Sequence, residues 1–446
     1  MANISNYLRR LWQKALELGK NHPVSLFVLF LLSSIPLSLA LGNIALMLFA
    51  AASLYFFSKH KFFRVEWQLL LPVALFISMA LSIARSINPS RSANALPKEI
   101  VLFAVPVCFM MFPVFSRTQK SALLQNYAYV MTALGVLYVL KSLFRFFQSG
   151  DKNVFFYHEL VTKEVNAIHV SIYMAVAFFA LLPKVGKQRY DWCCLGFLGV
   201  LMVLLSSKNV IAIFLLLLTA YAFFFSGFST KKKVIALTLL IAMIALPILV
   251  FDKITDRFQI EYQTAFTAGT VNEELSNGED KVYNVSVPQA WQQEMFKQND
   301  FFPGTAFRVY QARIFFEMLS EDNVFFTGYG LNASNIKIRE KSIEHNLWAG
   351  DANDAGYKAK NFHNQYIQNF ADLGIFGLIL LVAMLVVTLK NGLKMKDFTH
   401  ISFAVLMISL FLTESFLWRQ RGAVFFVAMY CLFNSGVVAV AAPKKE

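Results

Sequence analysis

The stretch that decides the fold is NFHNQYIQNFADLGIFGLILL at 361–381. Its first half is polar and aromatic and its second half is an uninterrupted apolar run, so within twenty residues the chain passes from water into hydrocarbon. Continued to about position 389, the apolar part is long enough to cross a bilayer as a helix. His363 stands at the boundary, one helical turn before Tyr366 and Ile367. A histidine titrates near neutrality and can take a proton from an acceptor hydroxyl as a general base. The competing use of such a residue, capping the helix or bonding a backbone carbonyl, is left open by its position.

Working outward, apolar runs of about 17–25 residues lie near 24–41, 43–58, 67–84, 99–115, 122–147, 168–183, 191–206, 210–227 and 234–251. After a long polar interval come three more, near 366–389, 398–416 and 422–441. About twelve transmembrane helices are expected, in an all-α polytopic membrane protein with one large loop. The divisions expected are a membrane part at 1–251, a loop domain at 252–365 and a second membrane part at 366–446. Composition agrees: of 446 residues 57% are hydrophobic and 46 are Phe, and the mean hydropathy is +0.52. A soluble domain of this size does not tolerate that balance. The basic N-terminus precedes a run without a small-residue cleavage pattern, so it reads as a first span.

The net charge of +14 would suit nucleic acid only if it were gathered on a polar surface. It is not. Residues 252–365 hold 16 of the 27 acids and 11 of the 41 bases, so the loop is net −5 and the rest of the chain net +19. Cations fall in every second short junction: Lys59, Lys61 and Arg64; Arg117 and Lys120; Lys184, Lys187 and Arg189; Lys231 to Lys233; Lys390, Lys394 and Lys396. By the positive-inside rule these face the cytoplasm with both termini, and the large loop faces outward. Cys108, Cys193, Cys194 and Cys431 all lie in apolar segments and read as small core residues, with neither disulfide nor zinc spacing.

Five cations run against that bias. Arg85, Arg91, Lys208, Arg419 and Arg421 lie at outward junctions, where each either snorkels to lipid phosphates or contributes to an anion pocket; their recurrence in separate junctions favours the pocket. Within the loop, AFRVYQARIFFEMLS at 306–320 has helical spacing. Arg313 there has Glu317 four residues on as an ion-pair partner, which leaves Arg308 the freer guanidinium for phosphate oxygens. The turn-rich TGYGLNAS follows, then a polar helix or loop through 335–346, while 259–300 carries no readable motif. FFYHELVTKEVNAIHVSIY at 155–173 brings His158, Glu164 and His169 into another outward loop; the spacing does not fit zinc, and substrate contact or structural bonding are the alternatives. Glu414, an acid among apolar residues, is expected to pair with Arg419 or Arg421.

Many spans, a late outward loop, an Arg-led helix, FFTGYGLN, and FHNQYIQNFADLGIFGL re-entering the membrane together resemble the O-antigen ligase and polymerase family of bacterial envelope glycosyltransferases. The segment also looks like the Bacteroidetes branch of that family. The resemblance implies a GT-C-like helical architecture with a periplasmic loop domain in the bacterial inner membrane. It implies an undecaprenyl-diphosphate-linked glycan as donor, lipid A-core of lipopolysaccharide as acceptor, and inversion at the anomeric carbon with no metal and no cofactor. His363 matches the histidine of the family's HN motif, with Asn364 and Tyr366 beside it, and Arg308 matches the arginine that opens the loop helix. Lys208, in SSKN at 206–209, stands where many members show arginine, so a cation is kept and the fork is lost. Polymerase and protein O-oligosaccharyltransferase chemistry are alternatives within the family. A lipid-linked glycan transporter is the alternative of another class, disfavoured by the absence of internal repeats.

Overall fold

The computed structural model describes residues 19–437, except 21, 163, 206, 228, 232, 235–237, 239–251, 277–279, 352 and 353. The chain is predominantly helical. The first half contains α1 (Ser25–Ser34), α2 (Leu39–His60), α3 (Trp67–Ser82), α4 (Pro89–Glu99), α5 (Val101–Met110), α6 (Arg117–Ser149), α7 (Ala167–Leu181), α8 (Arg189–Leu204) and α9 (Lys208–Ala220). Then come α10 (Asp252–Phe266), α11 (Gly304–Glu321), α12 (Ser334–Glu344), α13 (Gln365–Met395), α14 (Phe398–Leu410) and α15 (Gln420–Asn434).

Among the described residues six helical stretches are long and apolar enough to cross a membrane: Leu39–His60, Trp67–Arg85, Pro89–Met110, Arg117–Ser149, Lys208–Phe225 and Gln365–Met395. Among them α6 shows how local sequence sets the boundaries. Ser116 and Gln119 form a reciprocal capping box at its start, and Gly150, at φ 70°, ends it, because a left-handed residue cannot continue the helix and glycine adopts that conformation without a Cβ clash. On its outer face Leu137, Leu140, Phe144 and Phe147 are exposed in a stripe at helical spacing. In water such a stripe would oppose folding, whereas in lipid it is the expected surface.

Several expected runs differ from the observed elements. The run at 24–41 breaks after α1, where a turn leads to Ser38, whose hydroxyl caps α2. α7 and α14 are apolar but shorter than a full span, and the run at 234–251 lies outside the described residues. The stretch 398–416 is helical only to Leu410, so Glu414 lies beyond the helix in the connection to α15. Cys193 is exposed rather than a core residue; the other three cysteines are buried.

The polar loop has its own hydrophobic cluster. Tyr310, Ile314, Phe315 and Met318 on one face of α11 pack with Phe296, Phe302, Tyr329 and Phe362. The helix expected at 306–320 is therefore present, as is a helix over the polar residues from 334 onward. The expected helical character of the chain holds, with one small addition: β1 (Thr270–Val271), β2 (Tyr283–Asn284) and β3 (Asp300–Phe301) form a small sheet in the order β1-β2-β3. The β1–β2 pair is antiparallel and the β2–β3 pair parallel. Two-residue strands carry too little alternation to be read from sequence.

Loop and bundle meet at α13. Its first turns belong to the loop cluster through Ala371, and at Gly374 (φ 70°) the helix kinks. The 325–330 turn docks there by three backbone hydrogen bonds, Ile375 N to Phe325 O (2.8 Å), Tyr329 N to Ala371 O (2.8 Å) and Gly330 N to Asp372 O (2.9 Å). A Cβ on Gly374 would collide with the Phe326 carbonyl, so glycine is required twice over, for φ and for space.

Candidate active site

The C-terminal end of α14 organises the site. A helix end leaves unpaired carbonyls and a partial negative charge, and here those carbonyls, together with those of the connection that follows, gather donors from three distant parts of the chain. The Gln365 amide donates to Phe411 O at 2.8 Å. The Asn364 side-chain amide donates to Leu412 O at 3.2 Å, the Tyr366 hydroxyl to Ile408 O at 2.9 Å, and Arg308 Nε to Thr413 O at 2.9 Å. Asn209 donates to Ser409 O (2.9 Å) and to the Thr413 hydroxyl (2.8 Å). The start of α13, the start of α11 and the start of α9 are thereby fastened to one helix terminus.

Glu414 is at the centre. Its Oε1 accepts from Arg308 Nη2 at 3.3 Å and its Oε2 faces His363 Nδ1 at 3.7 Å. The pairing expected from sequence, Glu414 with Arg419 or Arg421, is therefore replaced by Arg308 and His363. The physical reason is that the chain turns after Leu410 and directs Glu414 toward the loop. Burial by itself would push the Glu414 carboxyl up. The nearby imidazole of His363 and the charge of Arg308 outweigh it, and the group is held below its ordinary value of 4.5.

His363 itself has φ 47°, a left-handed conformation uncommon for a residue with a Cβ. The Asn361 side chain accepts from its backbone N–H at 3.0 Å, and its ring meets the edge of Phe307, centroids 5.7 Å apart. It does not cap α13; Asn364 does, accepting from the Ile367 amide at 3.0 Å. Among the described residues the polar group beside the imidazole is the Glu414 carboxylate, facing Nδ1. Arg308 also donates Nη1 to Gly304 O at 2.8 Å. Three of its five N–H groups are engaged among the described residues, which leaves two for an anion.

Lys208 pairs with Glu261 at 3.3 Å, and Glu261 also accepts from the Thr305 amide at 3.3 Å. A Cβ on Gly304 would touch both Glu261 Oε1 and Arg308 Nη1, so the Lys208–Glu261 and Arg308–Glu414 pairs adjoin across that glycine. Desolvation raises the Glu261 carboxyl, but Thr305 and Lys208 more than compensate and hold it low. Glu261 was not singled out in the sequence: it is one of many loop acids, and nothing in its neighbours signals a partner fifty-three positions upstream.

The other expected residues sit elsewhere. Arg91 donates Nε to Asn332 O at 2.8 Å, Ser92 donates to Leu331 O at 2.7 Å, and the Ile87 amide donates to Tyr329 O at 3.0 Å. The 82–92 junction thus clamps the glycine turn. Among the described residues neither Arg85 nor Arg91 is hydrogen-bonded or ion-paired to Arg308, His363 or Glu414. Arg421 is buried and held by Glu164, through its carbonyl at 2.9 Å and its carboxylate at 3.6 Å. His169 is buried with its ring against Phe416, centroids 4.4 Å apart, and Arg419 is exposed. His158 is exposed beside Tyr157 and shares no helix with His169. Asn364 and Tyr366 use their polar groups to hold the α14 end. Arg313 and Glu317 form the expected pair at 2.6 Å. Among the described residues no three His, Cys, Asp or Glu side chains gather as a metal-ligand set.

Fold and site together define a multi-pass helical membrane protein that gathers a histidine, a carboxylate and an arginine where its polar loop meets the bundle. Residues 192–382 match the family described as O-antigen ligase, so the chain carries a domain of the O-antigen ligase family and the resemblance seen in the sequence is shown. Comparison with curated proteins returns no match. The matched segment contains Lys208, Glu261, Arg308 and His363; Glu414 lies beyond it.

Proposed function

We propose that the protein is a glycosyltransferase of the O-antigen ligase type. It transfers a glycan from undecaprenyl diphosphate to the lipid A-core of lipopolysaccharide at the periplasmic face of the bacterial inner membrane. The observation that supports this most directly is the single carboxylate of Glu414 joining His363 to Arg308, since a base and an anion-binding guanidinium are what this transfer requires in one place.

With an Nδ1 proton facing Glu414, His363 presents the Nε2 lone pair to the acceptor. The acceptor hydroxyl attacks the anomeric carbon and gives its proton to Nε2, while the bond from that carbon to the diphosphate oxygen breaks. One displacement on the opposite face inverts the centre. Undecaprenyl diphosphate leaves with the electron pair, and its growing negative charge is met by the two unspent N–H groups of Arg308 and by Lys208. The protein's own cations supply this stabilisation, so the scheme uses no metal or cofactor. Glu414 stabilises the imidazolium that forms and is a positioning residue. The 3.7 Å separation exceeds a hydrogen bond, as is common for acid–base pairs before substrate binds.

In this reading the twelve expected spans form a GT-C-like bundle with both termini cytoplasmic, divided at 1–251, 252–365 and 366–446, and the donor's polyprenyl tail stays in lipid. Arg85, Arg91 and Arg419 lie exposed as further cations for the diphosphate or for lipid phosphates, while Arg421, expected with them, is buried against Glu164. A Wzy-type polysaccharide polymerase shares the domain and differs in its acceptor, as does a protein O-oligosaccharyltransferase. The test is transfer by purified protein and by His363→Ala, given a polyprenyl-diphosphate glycan and lipid A-core with EDTA present. Capped lipid A-core from wild type and none from the folded variant supports the ligase. A lengthened polyprenyl-linked glycan with untouched lipid A-core indicates a polymerase. Full activity in His363→Ala overturns the role of the histidine, and lipid-linked glycan moving across the membrane without any transfer product indicates a transporter.

A further inference from the structure

One cavity of the protein lies away from this site. It has a volume of about 830 Å³ and lies between the N-terminal end of α6, the C-terminal ends of α7 and α13, the first turn of α14 and the segment after α15. From the Gly374 kink to Met395, α13 climbs 21 residues, about 30 Å at 1.5 Å per residue. This is the thickness of a bilayer's hydrocarbon core. The cavity therefore opens at the membrane face opposite the candidate active site.

Its charge is one-sided. Among the described residues Arg117, Lys120, Lys184, Lys394 and Lys396 line it, with Asp397 the one acid. Two of the five cations are already engaged: Lys184 with Asp191 at 2.6 Å, and Lys120 with the Phe433 and Ser435 carbonyls at 3.3 and 2.8 Å. Asp397 is likewise engaged, accepting from the Thr399 and His400 amides at the start of α14. Arg117, Lys394 and Lys396 are exposed at the rim and have no ion-pair partner among the described residues. Deeper in, two buried polar atoms, His400 Nε2 and Ser435 Oγ, lack a hydrogen-bond partner among the described residues, on residues 1% and 3% exposed. Buried polar atoms are seldom left unpaired, because each costs roughly 1–3 kcal/mol.

Much of the remaining wall is apolar, with Leu124, Phe225, Phe398 and Val437 beside the polar Ser116, Ser121, Gln125 and Thr399. Beside the mouth, Val185 is 94% and Phe224 82% exposed, a rim suited to acyl chains rather than water. Positive-inside charge explains cations at this face; it does not explain a walled cavity with orphaned buried polar atoms behind them. An occupant has to be anionic at one end and apolar at the other.

We propose that this cavity binds an anionic glycerophospholipid of the adjoining leaflet. Arg117, Lys394 and Lys396 hold the phosphodiester, and the acyl chains lie along the Phe225 and Val437 wall. Basic pockets between transmembrane helices are suited to such headgroups. The bound lipid joins α6 to α13 and α14, elements far apart in the chain.

The test uses full-length protein in detergent, with native mass spectrometry counting retained lipid during titration with phosphatidylglycerol, phosphatidylcholine or inorganic phosphate. Wild type is expected to retain one phosphatidylglycerol and not phosphatidylcholine. The triple variant R117Q/K394Q/K396Q is expected to bind about a hundredfold more weakly, at about fivefold per cation removed, while the Lys394→Arg/Lys396→Arg variant binds as wild type. Ser121 is an exposed residue of the lining, so Ser121→Trp fills the cavity with every charge in place and is expected to lose the lipid as well. Undiminished retention by the triple variant or by Ser121→Trp, equal binding of phosphatidylcholine, or displacement by millimolar inorganic phosphate would each overturn the proposal, the last by making it a site for simple anions.

Discussion

Replacing Glu414 by glutamine keeps the size of the side chain and its contact with Arg308 while removing the charge that faces His363. At the observed 3.7 Å and an effective dielectric constant of about 20, a carboxylate and a newly formed imidazolium attract by about 4 kcal/mol. Arg308, 3.3 Å from the same carboxylate, already draws on part of that field. A loss of about 2–3 kcal/mol from the transition state remains, which is on the order of a hundredfold in kcat. Arg308 is still held by Thr413 O and Gly304 O, so the donor KM is expected to change by less than about threefold. Glu414→Asp should recover part of the rate. The assay is single-turnover glycan transfer in reconstituted vesicles with the folded fraction measured in parallel. A Glu414→Gln protein that transfers within about threefold of wild type refutes the coupling of Glu414 to His363, and a rate loss matched by a loss of folded protein reduces Glu414 to a structural residue.

Three further outcomes are expected. Arg308→Lys keeps the charge but not the planar fork that serves Thr413, Gly304 and Glu414 together, and should lower kcat/KM by roughly tenfold or more, read in the same transfer assay. Gly330→Ala places a Cβ against Ser86 at φ +99° and should cost about 2 kcal/mol or more of stability, seen as a lowered Tm in detergent; an unchanged Tm would mean that the clamp on the glycine turn is loose. Glu414 and Glu261 are both held below the ordinary value of 4.5. Their contribution is complete above that value and is lost as pH falls through the lower folded values. Tm measured downward from about pH 7 should therefore fall below about pH 4.5, and the Glu414→Gln/Glu261→Gln variant should show a shallower slope.

Much of this was legible because it depends on local chemistry. Helical spacing and an i, i+4 acid sufficed for α11 and for the Arg313–Glu317 pair, and the polar-to-apolar passage at 361–381 placed His363 at the mouth of the bundle. The small sheet was not legible, since two-residue strands carry no period. Neither was the partner of Glu414. In the sequence its nearest cations are Arg419 and Arg421, only five and seven positions away, yet the structure gives it Arg308, 106 positions upstream, and sends Arg421 to Glu164.

The sequence by itself determined that this is a helical membrane protein with a late polar loop, because a segment crossing hydrocarbon has to satisfy its own backbone hydrogen bonds, as long apolar helices do, and unpaired charge there is costly. It also placed a histidine and an arginine in that loop. Only the tertiary structure decided that they share a carboxylate, because the meeting is made by the end of a third helix. α14 stops at Leu410, its unpaired carbonyls attract donors from α9, α11 and α13, and the turn that follows directs Glu414 between His363 and Arg308. A helix terminus selects its partners by position in space, which no spacing along the chain encodes.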